Sequence, residues 1–396
     1  MKKGWPTKTL GEVCQFRGGG TPSKAVERYW LGNIPWVSPK DMKFDVVSDS
    51  IDHISQEAID GSATSLIPKD SVLMVVRSGI LARIVPIAIT GRALTINQDL
   101  KALCPNGTVD ARFLYHLLDS RMELLLSMVS RGATVHRLMT DQIRDIDFVL
   151  PPLAEQQRIV GLLDEAFEGL ATAKANAETN LQNARALFES HLQSVFTARG
   201  PGWVEKPLGE ALFKTETTDP TRSPQSEFDY IDVSSVSKET LTIEETQRLQ
   251  GKDAPSRARK LVRTNDVLFA TIRPTLRRIA IVPEELDSQV CSTGYFVLRA
   301  KPDVDHRLVF YFLQTEIFMT AMETLQKGAS YPAVTDGEVR SQTIPIPPLK
   351  EQKKIASKLE SLREETQRLA RLYEQKHAAL EALKKSLLHQ AFTGEL

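Results

Sequence analysis

Cysteine is scarce: Cys14, Cys104 and Cys291 are the only three among 396 residues, and no C-x-x-C pair exists. That spacing excludes a disulfide framework and most zinc sites, and it is what a reducing cytoplasm leads one to expect. Net charge is lacking too, since 50 Lys and Arg offset 50 Asp and Glu; a polyanion would have to be met by local clustering. No apolar run reaches the roughly 20 residues of a membrane helix. The longest, Val72 to Ile89, is broken by Arg77 and Arg83. The opening Met-Lys-Lys-Gly-Trp-Pro has no apolar core behind its lysines, so no signal peptide is expected. P-loop and H-E-x-x-H patterns are missing and the seven His are scattered, which leaves ATPase, metalloprotease and common metal chemistry without their residues. The balance of 41% hydrophobic and 25% charged residues describes a folded, soluble protein rather than a disordered or collagen-like one.

What the chain does have is a duplication. Pro151-Pro152-Leu153-Ala154-Glu155-Gln156 returns as Pro347-Pro348-Leu349-Lys350-Glu351-Gln352, an offset of 196, and Phe196-Thr197 returns as Phe392-Thr393. Upstream, Gly4-Trp5 and Leu10-Gly11-Glu12 answer to Gly202-Trp203 and Leu208-Gly209-Glu210, while Gly132-Ala133-Thr134 answers to Gly328-Ala329-Ser330. The expected order is a variable region over 1–150, a helix over 151–198, a second variable region over 199–346 and a second helix over 347–396.

Paired prolines suit a helix start, and Glu155 and Glu351 place negative charge where the helix dipole favours it; Gly200-Pro201 and Gly394 supply stops. Between those ends the apolar spacing is heptad-like. Leu163, Leu170, Ala177 and Ala184 form one row, and Leu359, Thr366, Tyr373, Leu380 and Leu387 form its counterpart, the narrow seam of a coiled coil. The first helix carries six acids against three bases and the second six against ten, so the two attract each other. Direct repeats whose helices meet about a pseudo-two-fold axis must run them antiparallel, with a variable domain at each end. At 1.5 Å per residue each helix spans about 65 Å. The runs Ser71 to Val76 and Asp266 to Ile272 read as strands, and Ala111 to Ser127 and Asp305 to Ala321 as helical. Each variable region is therefore expected to be α+β.

Two related, diverged domains on a spacer suit the reading of two features at a fixed distance. The duplicated order, the Pro-Pro-Leu-x-Glu-Gln helix starts, Gly18-Gly19-Gly20-Thr21-Pro22-Ser23 with Ile34-Pro35-Trp36-Val37-Ser38-Pro39, and Cys291-Ser292-Thr293-Gly294-Tyr295 together resemble the DNA-specificity subunit of Type I restriction-modification enzymes over essentially the whole chain. The resemblance implies two target-recognition domains on double-stranded DNA, an asymmetric bipartite target, and helices that space the domains and dock two adenine-methyltransferase subunits. ATP-dependent restriction subunits would join that core in the cytoplasm, for defence against phage. It implies no catalysis and no cofactor on this chain, with S-adenosylmethionine, ATP and Mg belonging to partners. The partner would flip an adenine out of the stack to reach it. A spacer of this kind sets the distance between half-sites, so deleting four residues within Leu170 to Leu187 is expected to shift it.

The strongest basic cluster is Gly251 to Ala280, where Lys252, Arg257, Arg259, Lys260, Arg263, Arg273, Arg277 and Arg278 face only Asp253 and Asp266, a balance of +6. It suits phosphate contacts, guanine readout by Arg273, Arg277 and Arg278, or merely a solvated face. The segment Gly18 to Ser23 reads as a flexible, hydroxyl-bearing loop beside Arg17 and Lys24, with Gly19, Thr21 and Ser23 as contacts or as a plain turn. The paired loops Arg131, Thr134, His136, Arg137 and Lys327, Ser330, Tyr331 recur while their surroundings drift, which fits a shared DNA-facing tip or a structural turn. Ser38, Lys40, Arg77, Arg83, Gln98 and Thr293 complete the candidates, and no metal ligands are expected. Trp30 and Trp36 read as core.

Two other functions compete. Phe16-Arg17-Gly18-Gly19-Gly20 fits the F-x-G-x-G of adenine methyltransferases, but Thr21-Pro22-Ser23 follows it instead of a helix. No Asn/Asp-Pro-Pro-aromatic tetrapeptide exists, since Leu150 and Ile346 precede the proline pairs. A coiled-coil scaffold binding only proteins explains the helices and leaves the +6 segment and both globular regions without a role.

Overall fold

The computed structural model describes residues 5–132, 135–328, 330–393 and 395. The chain divides into two units, Met1–Ala177 with Gln375–Leu396 and Glu178–Glu374. Neither unit is a linear segment plus its own helix, because each long helix gives residues to both.

In the first unit the buried run Val72–Val75 is the centre of a five-stranded sheet, ordered Cys14–Gly18, Leu100–Pro105, Val72–Val75, Ile87–Thr90 and Val46–Val47. All four of its central residues are buried, as a strand covered on both faces requires. A second sheet orders Asp52–Ile54, Ile34–Val37, Leu94–Ile96 and Leu66–Ile67, with Ile34–Val37 and Leu94–Ile96 parallel. The expected helix Ala111 to Ser127 is broken at Arg121 into Ala111–Ser120 and Met122–Ser127.

The second unit repeats this plan. Val267–Ala270 lies between Ile279–Ile281 and Tyr295–Leu298, and a four-stranded sheet orders Gln247–Gln250, Glu227–Ile231, Val290–Ser292 and Ala258–Leu261. Its inner pair, Glu227–Ile231 and Val290–Ser292, is again parallel. The expected helix over Asp305 to Ala321 is two helices, His306–Phe312 and Glu316–Leu325. In each unit a short ladder ties the start of the variable region to its end: Thr7–Thr9 on Asp147–Val149, and Val204–Pro207 on Thr343–Ile346.

The long helices run Leu153–Thr197 and Leu349–Thr393, 45 residues each; Gly394, the expected stop of the second, lies outside the described residues. In the first unit, Lys384 sits 5.2 Å from the Phe167 ring centroid and Lys174 pairs with Glu381 at 2.6 Å, so the two segments there run antiparallel. In the second unit Arg185 meets Glu374 at 3.1 Å, while Leu192, Phe196 and Leu359 join one buried cluster. Of the predicted seam, Leu163, Ala177, Ala184, Leu359 and Thr366 are buried.

The repeated glutamine has a repeated task. Gln156 accepts from Asp110 N at 2.7 Å and donates to Thr108 O and Pro151 O; Gln352 accepts from Asp305 N at 2.8 Å and donates to Asp303 O and Pro347 O. Both aspartates cap the following helix through Arg112 N and Arg307 N.

Candidate nucleic-acid interface

In each unit a loop near the end of the variable region folds into a hairpin beside the residues that leave the central strand. Ser130 bridges Arg137, His136–Arg137 pairs with Arg77–Ser78, and Leu138 N donates to Val76 O at 2.9 Å. In the second unit Lys327 bridges Ala333, Ala333 bridges Ile272, and Val334 N donates to Thr271 O at 2.9 Å. Glycine is required at both tips. A Cβ on Gly132 would lie 2.4 Å from Val135 O, and Gly328 has φ +106° with Tyr331 O 3.0 Å from a Cβ there. Thr134, one of the expected contacts, lies outside the described residues, as does Ala329.

The first hairpin gathers Arg77, Arg131, His136 and Arg137. Arg131 and Arg137 are exposed and, among the described residues, hold no ion pair; Arg83, also exposed, follows the turn Gly79–Ala82 that packs on the same hairpin. Arg77 Nε pairs with Asp99 Oδ1 at 2.6 Å. The second hairpin gathers Arg273, Ser330, Tyr331 and Lys327. Arg273 lies over the Tyr331 ring at 5.0 Å and its Nη2 reaches Ser330 O at 3.4 Å, while Lys327 pairs with Glu338 at 3.2 Å on an exposed face. Sequence reading missed Ser78, which sits opposite His136 in the ladder and three residues after the central strand. Aligning Val72–Val75 on Val267–Ala270 sets Ser78 on Arg273, a signal the duplication offered.

The +6 segment is not one free basic face. Lys260 Nζ donates to Tyr295 O at 2.6 Å and Asp336 Oδ2 at 2.7 Å with its side chain only 16% exposed. Arg278 is drawn to the carbonyls of Val233, Ser234 and Val236, Arg277 is paired with Glu316, and Arg259 lies 3.5 Å from Asp219. These cations brace the fold. Lys252, Arg257 and Arg273 are exposed with no ion pair among the described residues, and Thr293, exposed, donates its N–H to Arg257 O at 2.8 Å.

The segment Gly18 to Ser23 is pinned rather than flexible. Gly20 N donates to Ile96 O, and Gly20 O accepts from Trp36 Nε1 and Thr64 Oγ1, each at 2.9 Å. A Cβ on Gly19 would sit 2.0 Å from Ile96 O, so this glycine is there for backbone packing. Thr21 Oγ1 donates to Gln98 Oε1 at 2.5 Å, bringing two expected contacts together at the surface beside exposed Ser23 and Lys24. Arg17 is turned to Gln15 Oε1 on its own strand and to Leu66 O on the strand Leu66–Ile67. Ser38 is a correction: it is buried, and its hydroxyl and N–H both go to Asp41 in a capping box. Lys40 pairs with Asp52 at 2.8 Å, a hydrogen bond that raises its pKa. Trp36 is core, with Trp30 edge-on at 5.2 Å.

Burial pushes the Cys14 and Cys291 thiols up to about 12, so neither is a thiolate nucleophile at neutral pH. Among the described residues no group of three metal-binding side chains converges, and no helix is long and apolar enough to cross a membrane.

The model of the Type I restriction modification DNA specificity domain matches twice, over residues 2–180 and 203–376. The chain belongs to that family. Its two matched stretches each contain one of the hairpins described above. The specificity subunit of the Escherichia coli enzymes EcoR124I and EcoR124II is 41% identical over 160 residues, which is 40% of this chain and 40% of that relative's length. The MjaIX specificity subunit of Methanocaldococcus jannaschii is 23% identical over 374 residues, 88% of this chain and 84% of the relative. A solved chain described under the complex assembly and conformational transition of the type I R-M system superposes with a TM-score of 0.77 at 19% identity, covering 100% of this chain and 99% of that one. The fold is shared with it. The relatives that it matches are specificity subunits of Type I restriction enzymes.

Proposed function

We propose that this chain reads an asymmetric, bipartite target on double-stranded DNA and directs adenine methylation, and restriction, by partner subunits in the cytoplasm. Residues 1–150 and 199–346 are the two recognition domains, and 151–198 and 347–396 the spacer helices. The chain itself binds no cofactor. Two methyltransferase subunits bring S-adenosylmethionine, and ATP and Mg belong to restriction subunits. The observation that carries this reading is the pair of equivalent hairpins, each anchored beside a central strand: among the described residues, Arg131 and Arg137 in the first and Arg273 in the second are exposed cations without a carboxylate partner.

Their side chains have diverged around a shared frame, Arg77, His136 and Arg137 in one and Arg273, Ser330 and Tyr331 in the other. Phosphate contacts fix register and base-edge contacts fix sequence, so a common frame with different tips suits different half-sites. Adenine methylation mapped across the genome of a methylation-free host tests it. A bipartite motif is expected only when the chain and its cognate methyltransferase are expressed together. Methylation by the chain alone makes it the enzyme; none with a demonstrably active partner makes it a scaffold.

A further inference from the structure

Among the described cations of residues 251–280, Arg273 is the one that rests on an aromatic ring. Its backbone is left-handed at φ 50°, and its N–H donates to Pro332 O at 2.7 Å. Arg277, at φ 53°, closes the other end of the short turn Pro274–Leu276. Left-handed non-glycine residues are uncommon, and here two arginines bracket one turn. The guanidinium rests 5.0 Å over the ring of Tyr331, which is 71% exposed, and gives one N–H to Ser330 O. A guanidinium has five N–H donors, so most of this fork is uncommitted. No carboxylate among the described residues neutralises it.

A lysine ammonium, a flexible point charge, anchors a phosphate without this pre-arrangement, although a guanidinium fork also fits phosphate oxygens. A planar fork fixed on an aromatic face suits two acceptors lying in one plane at one edge. Among the base edges of duplex DNA that pair is O6 and N7 of guanine. We propose that Arg273 is a specificity-determining residue that reads one guanine in the half-site of the second unit, with Tyr331 as its positioning residue. This rests on the DNA-recognition reading and narrows it. The first unit has Ser78 and Val135 at the equivalent places, so the effect belongs to one half-site alone.

The test uses the complex of this chain with its cognate methyltransferase, titrated against duplexes that carry each single base-pair change of the methylated motif. Arg273→Ala and the charge-keeping Arg273→Lys are each expected to lose roughly tenfold or more of the discrimination at one G·C pair, leaving every other position as in the wild type. Tyr331→Ala is expected to lose part of the discrimination at the same pair, and Tyr331→Phe, which keeps the ring, none. Uniform weakening on all duplexes by both Arg273 variants would make it a phosphate anchor, and unchanged discrimination would remove it from the site; either overturns the proposal. A wild-type complex that prefers no sequence would instead overturn the DNA-recognition reading itself.

Discussion

Gln156 holds Asp110 in place, accepting its backbone N–H at 2.7 Å, while the Asp110 carboxylate caps the helix Ala111–Ser120 through the N–H groups of Arg112 and Phe113. The glutamine thus joins the start of a long helix to the start of a domain helix. Gln156 itself has no exposed surface, while of its partners Pro151 is buried, Asp110 half-buried and Thr108 exposed.

Gln156→Ala would strand Asp110 N, on a half-buried residue, and Pro151 O, on a buried one, and would leave Thr108 O, on an exposed residue, to water. Net hydrogen bonds contribute about 1 kcal/mol apiece and an unsatisfied buried partner costs more, so a loss of about 2–4 kcal/mol is expected. Denaturant unfolding followed by hydrogen exchange would place the loss in the first unit for Gln156→Ala and in the second for Gln352→Ala. A loss below about 1 kcal/mol would show that these bonds are made equally well in the unfolded chain.

His116 predicts a pH dependence. Burial lowers its pKa from the usual 6.5, outweighing the raising effect of the hydrogen bond to Asp164 at 3.1 Å. The fold therefore favours the neutral ring. Its contribution to stability is full above the unfolded pKa and is lost as pH falls from there through the folded one. Unfolding of the first unit measured between about pH 8 and pH 5 is expected to weaken on the acid side, and His116→Gln to flatten that limb. His306, also lowered chiefly by burial, should require its own His306→Gln to flatten the second unit. An unchanged acid limb in His116→Gln would assign it to another group.

The repeat order, the long helices and the strands at Val72 and Val267 were legible because each rests on local pattern. So was the seam at Leu163, Ala177 and Leu359. The charge difference between the helices was legible but weak as an argument, since Lys174–Glu381 and Arg185–Glu374 are half-exposed pairs of the kind that contribute little. What sequence did not reveal is which cations are already used. Lys260 and Arg278 look like Arg257 in a row of residues, and partners far along the chain, Tyr295 O and Asp336 for Lys260 and the Val236 carbonyl for Arg278, set them apart. The parallel strand pairs escaped for the same reason: Trp36 meets Thr95 across a long connection.

Two glycines separate packing from backbone freedom. Gly107 has φ +93° with nothing within 4 Å of a Cβ, while Gly19 would drive a Cβ to 2.0 Å from Ile96 O and 2.3 Å from Asn97 O. Gly107→Ala is expected to cost about 1 kcal/mol through left-handed strain. Gly19→Ala must move backbone and should cost more, at least the roughly 1–3 kcal/mol of an overpacked core. Thermal unfolding of the two variants checks the order, and equal losses would mean that the Gly19 segment relaxes freely.

The cations of residues 251–280 allow fold and DNA contact to be pulled apart. Arg257 and Lys252 are exposed and unpaired among the described residues. If they meet phosphates, Arg257→Ala and Lys252→Ala will weaken binding evenly across sequences and each reduce the salt slope by about 1, with stability unchanged. Arg278→Ala should do the reverse, because its guanidinium satisfies the carbonyls of Val233, Ser234 and Val236. Stability is then expected to fall by about 1–3 kcal/mol, chiefly for the carbonyl of buried Val236 left without its charged donor, while the salt slope of whatever remains folded stays as in the wild type. Binding isotherms of the complex over a range of salt, set beside its unfolding curves, distinguish the two. A reduced salt slope in Arg278→Ala would mean that this arginine leaves its carbonyls when DNA is bound, and the segment would then be a basic face assembled by its ligand.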